Sequence, residues 1–400
     1  MMQAPLPTVP MAFTPDPYPE YHRLRQAGPV QFVASAGSWL VTGHAAATAI
    51  LKDLRFGKAN PALRGDAAAQ LPEPVQHLFG TIQHWMLAQD PPEHTRLRSL
   101  SGTAFTPKVI EGLRPHIREI AERLLDEAAG KGHMDLIAEF AYPLPVTVIA
   151  ELLGVPVEDR DKFRAWSSAV AGTADAAESL EKFLNAGAGM QQISAYLREI
   201  IAQRRQEPRH DLLSAMIAAR DEGRQFSEDE LVATAVLLLV AGHETTVNLI
   251  GNGTLALLTH PEEQRRLLEQ PDLIQPAVEE LLRFDSPVQA VRRVAREDVT
   301  MGEQTIRAGQ PLSVMLGAAN RDPAVFAEPD RLDIARTPNP HLAFSSGIHF
   351  CLGAPLARLE GQIALATLCR RFPNLALATD HLDRRKSVVF RSLNALPVSF

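Results

Sequence analysis

Cys351 has the clearest chemical assignment in this 400-residue chain. It ends the loop Phe344-Ser-Ser-Gly-Ile-His-Phe-Cys351, and Leu352-Gly353-Ala354 then opens an apolar helix. Unpaired backbone N–H groups at a helix N-terminus, at the positive end of its dipole, stabilise a thiolate. Gly347 and Gly353 let the backbone approach a flat ligand closely. This chemistry suggests an axial thiolate bond to the metal of a planar macrocycle. Cys369 lies deep in the following helix without such surroundings and is expected to be a small buried hydrophobe.

A second polar set, Ala241-Gly242-His243-Glu244-Thr245-Thr246, interrupts an apolar helical run. Ala241 and Thr245 share a helix face with Leu237 and Leu249, and the small Ala241 leaves room for a ligand beside them. Gly242 costs up to ~1 kcal/mol relative to alanine inside a helix, so it needs a reason. Left to itself, a threonine hydroxyl here bonds back to its own helix. No second histidine follows His243 at His-Glu-x-x-His spacing, which argues against a zinc site. His94 and Arg98 lie four apart on a short helix, and Glu280 and Arg283 form an i,i+3 pair able to bridge on one face.

These residues must be positioned mostly by helices. Prolines fill residues 1–15, an irregular arm, and Asp16-Pro17 starts a helix running to about Gly28. Val30–Val33 and Ser38–Thr42 flank Ala36-Gly37 as a hairpin. From Pro92 to His260 nearly everything reads as helix: one opens at Thr106-Pro107, and another runs from about Asp135 to Gly154. Ser227-x-x-Glu230 is a capping box that starts the long helix carrying Ala241–Thr246 and ending near His260-Pro261. Asp272–Phe284 is the next helix. Short strands follow at Val291–Ala295, Val299–Met301 and Pro311–Met315, then a helix over Ala354–Phe372, and a last hairpin over Val388–Phe400. The fold expected is mainly α with a minor β region (α+β), one domain over 1–400.

Hydrophobic content of 46% and charged content of 22% are those of a soluble globular chain. A net charge of −7 argues against nucleic acid or an anionic membrane as the main partner. Two cysteines are too few for a disulfide framework, and a reducing cytoplasm is the expected location. No Lys or Arg precedes Arg23 and no apolar core follows the N-terminus, so no signal peptide is expected. The run Leu231–Gly242 is short of the ~20 apolar residues a membrane span requires.

Together the cysteine loop, Ala241–Thr246, Glu280-Leu-Leu-Arg283 and Pro91-Pro-Glu-His94-Thr-Arg-Leu-Arg98 resemble a cytochrome P-450 of the soluble bacterial kind. Asn320-Arg-Asp-Pro323 and Pro329-Asp-Arg-Leu-Asp333 add to the likeness, which spans nearly the whole chain. Where the family usually has glycine, this chain has Ser345. The resemblance implies a triangular helical domain holding haem b (iron protoporphyrin IX), with Cys351 as axial ligand to the iron. It makes Thr245 the residue that steadies bound dioxygen and helps protonate its distal oxygen, with Glu244 relaying protons. His94, Arg98, Arg293 (Arg292 a rival by register) and His349 would hold the propionates. Phe344, Gly353 and Ala241 would line the cofactor, and Glu280 and Arg283 would lock the core beneath it. Leu237, Val288, Ala290, Val291 and Leu393 are the expected pocket walls.

The implied activity is a haem-thiolate monooxygenase inserting one atom of O2 into a lipophilic small molecule, most simply a natural product. Two cysteines cannot ligate an iron–sulfur cluster. Electrons would therefore come from a separate ferredoxin and NAD(P)H-dependent reductase, with Arg358, Arg370 and Arg371 as docking candidates on a monomer. The alternatives are a peroxide-driven haem-thiolate peroxygenase, which should lack the Glu244–Thr245 pair, and a non-catalytic haem sensor or carrier.

Overall fold

The computed structural model describes residues 11–58, 70–102, 105–156, 159–174 and 179–400; residues 1–10 of the expected arm lie outside these. Helices α1 (Tyr18–Ala27), α2 (His44–Lys52), α3 (Glu73–Ile82) and α4 (Glu93–Gly102) lead into α5 (Pro107–Gly112) and α6 (Arg114–Ala129). Next come α7 (Pro143–Leu153), α8 (Arg160–Ala171), α9 (Leu180–Gln206) and α10 (Leu212–Ala218). Then follow α11 (Glu228–Thr259), α12 (Pro261–Glu269), α13 (Ile274–Phe284), the single turn α14 (Leu316–Ala319) and α15 (Ala354–Arg371).

The predicted start signals operate. Thr106 accepts from Val109 N at 3.3 Å with Pro107 in the first turn of α5. Ser227 Oγ accepts from Glu230 N at 3.2 Å while Glu230 accepts from Ser227 N at 2.8 Å, a complete capping box for α11. α11 is long and apolar enough to cross a membrane by composition, but 78% of its apolar window is buried against α7, α9, α13 and α15. That is the pattern of a central core helix.

Strands β1 (Val30–Val33), β2 (Ser38–Val41), β3 (Phe56–Gly57), β5 (Ala290–Ala295) and β8 (Pro311–Met315) form a sheet in the order β1-β2-β8-β5-β3. Only β2 and β8 in it are parallel. A three-stranded sheet joins β4 (His133–Asp135), β10 (Pro397–Ser399) and β9 (Ala376–Leu377), and β6 (Val299–Met301) pairs with β7 (Gln304–Ile306).

Two expectations change. Residues 135–154 are not one helix: β4 ends at Asp135, a π turn spans Ile137–Ala141, and α7 starts at Pro143. Pro143 and Pro145 lack the N–H groups that an unbroken helix would need. The Val388–Phe400 hairpin is also replaced. Arg384 bridges Leu393, which makes the turn earlier, and the last strand pairs with the distant β4 and with β9.

Glu280 and Arg283 are both fully buried, bonded at 2.7 and 2.8 Å. Arg283 also donates to the carbonyls of Asn320, Pro329 and Arg331, while Glu280 accepts from Arg336, Asn339 and the backbone N of Asp333. The two polar stretches upstream of the cysteine loop are thus strapped to one buried ion pair whose remaining donors and acceptors are satisfied. A buried pair is tolerable only under that condition.

Candidate active site

Cys351 is held by its loop. Its N–H donates to Phe344 O at 3.0 Å, and Ser345 N donates to Leu342 O at 2.8 Å. Gly347 has φ 71°, and a Cβ there would lie 2.2 Å from Leu51 O, so only glycine fits. Ser345, with φ 61°, occupies the same left-handed region without being glycine. Burial raises the Cys351 thiol above its usual range, and the N–H groups of Gly353 and Ala354, with Arg98 and Arg358, act to lower it. Cys351 nevertheless presents accessible surface although protein lies close around it. At Gly353 a Cβ would meet nothing within 4 Å. Phe344 lies under the Arg358 guanidinium, 4.5 Å from its ring centroid.

Around this loop sits a cluster of cations. The rings of His94 on α4 and His349 are 4.4 Å apart. Burial, then Lys58, Arg293, His94 and Arg98 in that order, push the His349 pKa down to about 2. Burial lowers Arg293 to about 10. Arg293 Nη2 and both ring nitrogens of His94 are buried with no hydrogen-bond partner among the described residues. Arg293 lines a small cleft with His349 and Asp90. A buried set of donors and positive charge beside a thiolate loop fits an iron porphyrin, whose carboxylates supply the missing partners.

α11 supplies the other wall. Its residues from Leu231 to Val240 are all buried, but Ala241 is exposed and Gly242, Glu244 and Thr245 are partly so, an opening in the middle of a core helix. At Gly242 a Cβ would lie 2.9 Å from Ile149 Cγ1 of α7, which explains the glycine. Thr245 Oγ1 donates to Ala241 O at 3.2 Å, so its proton is engaged and its lone pairs are left to accept. Glu244 is held by Arg385 at 2.8 Å, a residue of the C-terminal tail. His243 is fully buried: one ring nitrogen bonds Leu239 O at 2.7 Å and the other lies 3.3 Å from Ser167 Oγ of α8. It is a structural link between helices.

The expected pocket residues divide. Leu237 lies one turn before Ala241 in a cluster with Phe79 and Phe183. Val291 is two residues before Arg293 on β5 and so shares its side of the strand. Val288 bridges Phe390 of the tail. Ala290 points the other way, packed with Tyr18, Leu40 and Met315. Leu393 sits with Ile137 and Leu396 and is 3.9 Å from a Cβ built on Gly251, ten residues or ~15 Å along α11 from Ala241. The docking candidates are already ion-paired: Arg358 with Glu279, Arg370 with Glu122, and Arg371 with Glu122 and Asp126. Sequence reasoning missed Lys58, Asp90 and Arg385, which carry no motif of their own.

The family model described as "Cytochrome P450" matches residues 177–273 and 271–392. The biotin biosynthesis cytochrome P450 of Bacillus subtilis is 43% identical over 394 residues, covering 97% of each chain. The vitamin D(3) 25-hydroxylase of Pseudonocardia autotrophica is 46% identical over 394 residues, 97% of this chain and 94% of that one. Crystalline P450BioI, bound to an acyl carrier protein ligated with hexadec-9Z-enoic acid, superposes with a TM-score of 0.90 at 43% identity, covering 96% of this chain and 98% of that one. Myxobacterial CYP267B1 with myristic acid gives 0.87 at 41% identity, 96% of each chain.

Proposed function

The chain belongs to the cytochrome P450 family, and on that premise we propose that it oxygenates a lipophilic natural product, receiving electrons from a separate ferredoxin and its NAD(P)H-dependent reductase. It is a monooxygenase with haem b as cofactor. The observation that carries the finer reading is the acid–alcohol step Glu244–Thr245 at the one opened stretch of α11. A peroxide-driven enzyme receives its oxygen already protonated and needs no such step.

When bound, haem supplies the iron at which dioxygen is reduced and one oxygen atom is passed to substrate. Cys351 would hold the iron through Sγ, kept anionic by the N–H groups of Gly353 and Ala354 and by Arg98. His94, Arg98, Arg293 and His349 would hold the carboxylates. Thr245 Oγ1, its own proton committed to Ala241 O, would be free to accept a hydrogen bond from the reacting oxygen and so fix where a proton arrives. Glu244, positioned by its ion pair with Arg385, would supply protons to that point. Leu237, Phe79 and Phe183 pack in one apolar cluster with Trp85 and Trp166, and an apolar neighbourhood beside Ala241 would favour a hydrocarbon skeleton. Fatty chains bound in two similar structures support the same class.

The test compares product formation with NAD(P)H, ferredoxin and reductase against hydrogen peroxide alone, across a fatty acid, a macrolactone and a secosteroid. Candidates are first screened by the spin-state change that follows displacement of iron-bound water. Turnover with peroxide but none with the redox chain would reject the proposal.

A further inference from the structure

We propose that a groove between α6, the α12–α13 junction and α15 is a second ligand site, and that its occupant is a medium-chain carboxylic acid. The groove has a volume of about 610 Å³, within the range of small-molecule sites. None of the residues assigned to haem or oxygen lines it. Arg114, Arg118 and Glu122 recur at every fourth residue of α6 and so present one face to it. Ile363, Ala366 and Arg370 do the same on α15, at spacings of three and four. Leu267 and Leu268 at the end of α12 and Ile274 at the start of α13 complete the lining. At ~1.5 Å per residue the two stripes run about 10–12 Å, the span of a medium-chain acyl group.

Polarity selects the occupant. Leu267 and Ile363 are buried, but Leu268, Ile274 and Ala366 are only partly so, which leaves apolar surface open to water along the groove. Covering it with a hydrocarbon chain is favourable. The charges beside it do not cancel. Arg114 is paired with Glu111, and Glu122 is taken by both Arg370 and Arg371. Arg118, one turn from each end of that stripe, has no counter-charge among the described residues. A lone exposed arginine is ordinarily a solvated charge. Here it lines an apolar groove, and a guanidinium grips a carboxylate through two parallel hydrogen bonds. Gln275 and Gln362 add amide donors to the lining. With Arg114, Arg118 and Arg370 set against Glu122 alone, the lining disfavours a cationic amphiphile and gives a neutral one no ionic anchor.

The test uses the full-length ferric holoenzyme saturated with an azole that ligates the iron, so that the haem pocket is filled and silent. Decanoate is titrated by isothermal calorimetry into this protein and into its Arg118→Glu and Ala366→Trp variants, with decan-1-ol as the neutral control. One equivalent of decanoate should bind the unsubstituted protein, at least about tenfold more tightly than decan-1-ol, the gain expected for one charge-assisted contact. Arg118→Glu should weaken decanoate by at least about tenfold and leave decan-1-ol unchanged. Ala366→Trp fills the groove and should remove both, while the red-shifted carbon monoxide complex and the turnover of the azole-free enzyme stay as they were. No decanoate binding to the azole-saturated unsubstituted protein would overturn the proposal. So would equal binding to all three proteins, which would place the acid elsewhere. An Arg118→Glu variant that binds decanoate normally yet needs more ferredoxin for half-maximal turnover would give the groove to a protein partner and overturn it too. None of the calorimetric results depends on which substrate or reductant the haem site uses, so that reading stands or falls separately.

Discussion

Glu360→Gln should change how the stability of this protein depends on pH. Glu360 is 1% exposed on α15, and neither carboxyl oxygen makes a hydrogen bond among the described residues. Burial pushes its pKa up from 4.5 to about 8, and the poorly placed Thr246 hydroxyl only tempers the effect. The folded state therefore holds a proton that the unfolded chain releases. The associated stability is whole below pH 4.5 and is lost as pH rises through 8. Each unit is worth about 1.4 kcal/mol, so the loss between pH 5 and 8 is at most about 4 kcal/mol. Glutamine keeps the shape without titrating. An unfolding entropy near 2.1 cal/mol/K per residue gives this chain about 0.8 kcal/mol per degree at its midpoint. The melting temperature of the Gln variant, followed by far-UV circular dichroism, should thus gain about 4–5 °C on the unsubstituted protein between pH 5 and 8. Parallel curves across that interval would refute the reasoning and mean that Glu360 is either ionised or partnered.

Ser345→Gly should raise stability by about 1 kcal/mol, because it relieves a left-handed backbone and removes a buried hydroxyl without a partner; chemical denaturation of the holoenzyme measures it. Glu280→Gln leaves Arg283 buried and short of its counter-charge, so it should cost about 3–5 kcal/mol and lower soluble yield, read by the same unfolding curves. Arg385→Gln should leave the carbon monoxide spectrum intact yet cut the product formed per NAD(P)H several-fold, with the balance appearing as peroxide; full coupling would remove Glu244 from proton delivery. Cys351→Ala should abolish the red-shifted carbon monoxide complex, the spectral mark of thiolate ligation.

What the sequence made legible was local. The cysteine loop, the capping box of α11 and the Glu280–Arg283 spacing each lie within a few turns of chain, where residue type and offset determine geometry. Lys58, Asp90 and Arg385 could not be found that way. Lys58 meets Arg293 only because β3 pairs with β5, and Arg385 meets Glu244 only because the tail folds back over α11. The tail itself misled for a related reason. Its alternating apolar residues read as a self-contained hairpin, but the last strand finds its partners at Met134 and Leu377. Alternation identifies a strand and says nothing of its neighbour.

The tail also separates holding the cofactor from using it. Arg385 restrains Glu244, Arg384 and Arg391 engage Asp285, and Phe400 stacks on Phe372 at 3.7 Å. A chain cleaved before Arg384 would keep its thiolate loop and its carboxylate clamp while its acid has no tether. Such a species would be red and spectrally ordinary yet would squander reductant.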